Sequence, residues 1–148
     1  MKKFFVLATG LLMSLSASSQ ILKPVKWSYT AMKTSATEAT VFIKATIDSG
    51  WHVYSQTVPE GGPVKASFTF TPSASFHLDG VVLEPEPVTR FEKFFDMNIS
   101  YFEKEVVFQQ KIKLNTKKAT VKGTAEFMAC SDRQCLPPQT IEFSIPVN

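Results

Sequence analysis

Apolar residues recur at every second position through most of this chain, and that period limits what it can fold into. Trp27, Tyr29 and Ala31 alternate with Ser28 and Thr30; Val41, Ile43, Ala45 and Ile47 alternate with Lys44 and Thr46; Phe68 and Phe70 flank Thr69. The pattern returns in Val106, Phe108, Ile112 and Leu114, in Val121, Ala125 and Phe127, and in Ile141, Phe143 and Ile145. Successive side chains of a strand point to opposite faces, so each run offers one face to a core and one to water, the habit of antiparallel sheets. No window carries apolar residues at i, i+3, i+4 and i+7 between helix caps.

Turn residues punctuate the runs: "DSG" at Asp48 to Gly50, "PEGGP" at Pro59 to Pro63, "TPS" at Thr71 to Ser73, "DG" at Asp79 and Gly80, and "EPEP" at Glu84 to Pro87. Seven to nine short strands at this spacing predict an all-β fold, an immunoglobulin-like β-sandwich, with a closed β-barrel as the alternative. There is no internal repeat, low-complexity tract or linker, so the expectation is one domain, residues 20–148.

Residues 1–19 have the parts of a secretory signal peptide. A charged start at Lys2 and Lys3 precedes an apolar run, Phe4 to Met13, and small residues Ala17 and Ser19 place the cut before Gln20. The apolar run is far shorter than the ~20 residues that span a bilayer. Its removal leaves 14 basic against 13 acidic residues, a net charge of +1. No dense basic stripe remains to neutralise phosphates, which argues against a nucleic-acid binder. The mature chain is expected in an oxidising compartment, where cysteines pair.

The stretch from Pro87 to Tyr101 breaks the pattern. Phe91, Phe94 and Phe95 stand among charged residues with no clean period. Either this is an irregular strand whose rings enter the core, or a loop presenting an aromatic ring at the surface. Composition favours burial, because an exposed ring is poorly solvated.

The only two cysteines, Cys130 and Cys135, lie in "MACSDRQCLPPQT". Structural zinc takes about four Cys or His ligands, and the remaining candidates, His52 and His77, are in distant segments. A copper site from Met97, Met128 and the histidines lacks clustered spacing. No metal and no cofactor are therefore expected. As a staple the pair would close a ring of six residues, which the loop-entropy relation values at roughly 2 kcal/mol, against ~4.7 for a hundred-residue loop. Redox use instead needs two sulfurs held close in both states with one reachable, and the short polar loop and the prolines at 137 and 138 suit that. Both readings remain open on the residues alone.

"CSDRQCLPP", with "GWHVYSQ" at Gly50 to Gln56 and "FEKFFDMNISYFEKEVVF" at Phe91 to Phe108, resembles the periplasmic N-terminal domain of the transmembrane thiol-disulfide reductase DsbD. The resemblance covers most of the mature chain and implies an immunoglobulin-like fold. It implies that Cys130 and Cys135 form a reversible disulfide, with Cys135 forming the mixed disulfide with a partner. A cap-loop phenylalanine shields such pairs, and its position matches Phe94, with Phe95 as second choice. His52 stands where relatives have a tyrosine, and Tyr54 is the second aromatic near the cysteines. Of two acids before the cap phenylalanine one is kept, Glu92, a group that could manage protons. The cysteine loop is one residue shorter than that of the best-known relatives. Implied partners are a membrane thiol-disulfide reductase, acting in trans because the chain carries no membrane domain, and periplasmic thioredoxin-like proteins. A secreted β-sandwich binding module with a structural disulfide is the rival reading.

Overall fold

The computed structural model describes residues 20–148, and the expected signal peptide lies outside them. Among the described residues there are eleven strands, all paired antiparallel, and no helix. The first sheet has the order β1 (Val25–Lys33), β2 (Glu38–Ile47), β8 (Glu105–Leu114), β5 (Phe76–Leu83). A second runs β10 (Ala129–Ser131), β3 (Trp51–Tyr54), β7 (Met97–Phe102), β6 (Val88–Glu92). The third is β11 (Gln139–Val147), β9 (Ala119–Phe127), β4 (Ser67–Phe70). Since β10 follows β9 after the single residue Met128, the second and third sheets continue into each other.

These sheets face each other as an immunoglobulin-like sandwich, and the first ends at β1 and β5 instead of closing into a barrel. One core joins them. Val41, Ile43, Ala45, Phe108 and Ile112 enter from the first sheet, Val121, Ala125, Phe127, Phe143 and Ile145 from the third, and Val53, Phe102 and Ala129 from the second. Phe108 is fully buried, with the rings of Phe68, Phe102 and Trp27 at 4.7, 6.0 and 6.5 Å. Truncating such a residue to alanine costs about 3–5 kcal/mol. Gly123 of β9 leaves room for the two strands that flank it in the same sheet: a Cβ there would lie 2.2 Å from the Thr69 carbonyl oxygen and 2.6 Å from Phe143 Cζ.

Two expectations change. Asp79 and Gly80 do not end a strand; they form an irregularity inside β5, where the register to β8 shifts and Gly80 has a φ of +75°. Gln110, buried on the core face of β8, donates its amide to the Asp79 and Gly80 carbonyls and to that of Lys111, at 3.4, 3.3 and 2.7 Å. Carbonyls freed by the irregularity thus find a donor, and the buried Gln110 amide finds acceptors. Second, residues 87–101 are a β6–β7 hairpin, not an irregular strand feeding the core. Phe91 and Phe94 are 58% and 65% exposed on this edge hairpin, and of the three rings Phe95 alone is half-buried.

Candidate functional site

Alternation along β3, β7 and β10 divides their side chains between two environments. Val53, Phe102 and Ala129 face the main core. Their neighbours Tyr54, Tyr101 and Cys130, with Ile99, form a separate buried cluster, against which Val58, Phe95, Met97, Met128 and Cys135 pack. One wall thus serves two cores. The cross-strand register sets the pairs: Cys130 lies opposite His52, and Tyr54 opposite Tyr101.

Cys130 and Cys135 are disulfide-bonded across a tight hairpin, with an S–S distance of 2.05 Å. Ser131 N–H donates to the Gln134 carbonyl at 2.8 Å, and Leu136 N–H to the Ala129 carbonyl at 2.9 Å. Those bonds flank the pair on both sides, so the two cysteines face each other in a non-hydrogen-bonded position, where strand backbones approach most closely. The Ser131 hydroxyl also accepts from the N–H groups of Arg133 and Gln134, both at 3.3 Å, which orders the loop locally. The two cysteines differ in exposure: Cys130 is 1% exposed, whereas Cys135 is partly exposed.

Beside the pair sits a chain of polar groups. His52 Nε2 lies 3.2 Å from the Tyr54 hydroxyl and 3.8 Å from Glu92 Oε2. The imidazole packs at 4.8 Å from the Tyr101 ring and 5.2 Å from that of Tyr54. Burial lowers the His52 pKa, while the carboxylates of Glu92, Glu103 and Asp132 push it back upward. Burial, followed by the charge of Glu92 and the Tyr101 phenol, holds the Tyr54 hydroxyl well above its ordinary range, so it stays protonated. Tyr101 is likewise raised by burial, opposed by Arg90, whose guanidinium lies 6.0 Å from its ring centroid.

The turn of the β6–β7 hairpin covers residues 93–96. Phe95 N–H donates to the Glu92 carbonyl at 3.2 Å, and Asp96 takes a left-handed conformation with φ of 53°, a region that Asp tolerates. This geometry sends the two phenylalanines apart. Phe95 packs into the cluster, edge-on to Tyr54 at 6.4 Å, and Phe94, the first choice from sequence, projects into solvent.

A second polar clamp fixes the end of β3. The fully buried Ser55 hydroxyl donates to Glu84 Oε1, and Gln56 N–H donates to Glu84 Oε2 at 3.0 Å. Cys130, Cys135, His52, Tyr54, Glu92 and Phe95 are therefore brought together, and Phe94 is not. Sequence reasoning missed Tyr101, Ile99 and Met97 as site residues, although their own period-2 run, Met97, Ile99, Tyr101, was there to be read. His77 lies on β5, in another sheet, and no group of three or more His, Cys, Asp or Glu able to hold a metal occurs among the described residues.

A disulfide hairpin lodged in an aromatic cluster on the outer face of an immunoglobulin-like sandwich defines a small β-domain built around one thiol pair. The family model described as "Thiol:disulfide interchange protein DsbD, N-terminal" matches residues 18–146, and the chain belongs to that family. Among solved structures it is similar to the N-terminal periplasmic domain of ScsB from Proteus mirabilis, with 21% identity and a TM-score of 0.56 over 80% of this chain. The match spans less than half, 44%, of that ScsB chain. It is also similar to the reduced N-terminal domain of DsbD from Neisseria meningitidis, with 16% identity and a TM-score of 0.53, covering 81% of this chain and 85% of that one. A third similar structure, at 14% identity and a TM-score of 0.50, is the complex between the N-terminal domains of DsbD and PilB from the same organism, with 78% and 80% covered. No curated protein sequence is similar enough to count as a match.

Proposed function

We propose that residues 20–148 form an exported, periplasmic thiol-disulfide carrier, released by cleavage of the leader before Gln20. Its Cys130–Cys135 disulfide takes electrons from a membrane thiol-disulfide reductase and passes them to oxidised thioredoxin-like proteins. Cys135 is the sulfur attacked by partners, Cys130 the one that resolves the mixed disulfide, and Phe95 shields the pair.

The observation that carries this reading is the construction of the cysteine hairpin. Two backbone hydrogen bonds close it independently of the S–S bond, so both sulfurs stay near each other after reduction. One cysteine is buried and the other partly exposed, a difference that suits exchange through a mixed disulfide. Family membership supports the chemistry, and the complex of the meningococcal DsbD domain with a PilB domain supports docking of a partner protein.

The test is the reduction potential of the pair, read by thiol alkylation across a graded redox buffer. A value well above about −300 mV is expected for a pair poised for transfer. A lower value, together with failure of Cys130→Ala to trap any covalent complex with a periplasmic extract, would leave a binding module with a structural disulfide.

A further inference from the structure

We propose that His52 is the general base that removes the Cys130 proton when the reduced pair closes back to the disulfide. This rests on the carrier reading above. His52 and Cys130 are directly opposed on adjacent strands, β3 and β10. Directly opposed side chains of a pair lie on one face with Cβ atoms about 4.5–5.5 Å apart. Both residues are buried, so the imidazole is the nearest strand-borne base on that face, and bulk water has little access to the proton.

The groups facing His52 favour this task. From its own strand comes the Tyr54 hydroxyl; from β6, Glu92, with Arg90 behind Tyr101; from β7 and its end, Tyr101 and Glu103; from the cysteine loop, Asp132. Glu92 Oε2 lies 3.8 Å and the Tyr54 hydroxyl 3.2 Å from Nε2, so a carboxylate stands ready to balance the charge when the imidazole gains a proton.

The step balances as follows. The Cys135 thiolate attacks a partner disulfide, forming a mixed disulfide and releasing one partner thiolate. His52 then takes the proton of the Cys130 thiol, and the Cys130 sulfur attacks Sγ of Cys135. The Cys130–Cys135 bond forms, the mixed bond breaks, and the second partner thiolate leaves and is protonated by His52 through solvent. Two electrons pass to the partner, and this pair is oxidised.

The test uses the purified, reduced protein and the aromatic disulfide 5,5′-dithiobis(2-nitrobenzoate), whose coloured thiolate is released twice. Attack by the first cysteine gives the first equivalent, and closure by the second gives the second. In the wild type the closure rate is expected to stay level from neutral pH down to the His52 pKa and to fall tenfold per pH unit below it. In His52→Gln the ratio of second-phase to first-phase rate at pH 7 is expected to drop at least about 100-fold, and closure to rise about tenfold per pH unit through neutrality. Glu92→Gln, which keeps the imidazole, is expected to move the wild-type inflection to lower pH. An unchanged ratio and pH profile in His52→Gln, or an unmoved inflection in Glu92→Gln, overturns the proposal while leaving the carrier intact. Failure of the wild type to release two equivalents overturns the carrier itself.

Discussion

Reducing the Cys130–Cys135 bond should weaken this domain without unfolding it. The ring contains six residues, and the chain-entropy relation assigns so small a loop about 2 kcal/mol of stabilisation. Nothing else needs to be lost on reduction. The bonds from Ser131 N–H to the Gln134 carbonyl and from Leu136 N–H to the Ala129 carbonyl remain, and Cys130 keeps its place in the cluster with Tyr54, Ile99 and Tyr101. A loss of about 2 kcal/mol is roughly a thirtyfold change in the folding constant, a modest part of the ~5–15 kcal/mol of a typical domain. By linkage, the same amount makes the pair about 40 mV harder to reduce in the folded chain than in the unfolded one. Urea unfolding of the oxidised protein, and of the protein held reduced, measures the difference. Trp27, 5.0 Å from Phe127 in the main core, serves as the fluorescence probe. Two cooperative transitions of similar slope are expected, separated by about 2 kcal/mol. A gap above about 4 kcal/mol, or loss of the cooperative transition on reduction, would refute the argument and mark the bond as a staple.

Replacing Phe95 by alanine should speed reduction of the disulfide by dithiothreitol several-fold and cost about 1–2 kcal/mol of stability, since its ring packs on Tyr54; Phe94→Ala should change neither, and parallel reduction assays would show the contrast. Gly123→Ala should destabilise by about 1–3 kcal/mol or more, because the new methyl meets the Thr69 backbone oxygen, and urea midpoints would report it. Stability should also fall at mildly acidic pH. The folded His52 pKa lies below its unfolded value near 6.5, so the unfolded chain binds more protons in the interval between the two and gains on the folded one as pH drops through it. Urea midpoints measured between pH 7 and 5 should show this loss in the wild type, and His52→Gln should lack that component.

The strands legible in the sequence are those with one wet face. β8, β9 and β11 alternate cleanly because one side meets the core and the other water. β3 and β10 escape such reading, since His52 and Cys130 face one buried cluster while Val53 and Ala129 face another, and no polar residue marks the alternation. β5 misleads for a different reason: Asp79 and Gly80 are turn formers used inside a strand, where Gln110 supplies the missing donor. At the site, the cysteine pair was plain from its spacing. Which phenylalanine packs was not, because it depends on the left-handed backbone at Asp96, which orients the end of the turn. The Ser55–Glu84 clamp joins residues 29 apart and carries no local signature.

The shared wall of β3, β7 and β10 has one more consequence. Side chains on a strand have a period of two, so sliding β3 by one residue would exchange His52 and Tyr54 for Val53 at the thiols and drive the imidazole into the hydrocarbon interior. A mispaired chain could still be compact and still contain both cysteines, yet it could not assemble the chemistry around them. Strand register, and not the thiols alone, therefore decides whether the imidazole stands beside Cys130.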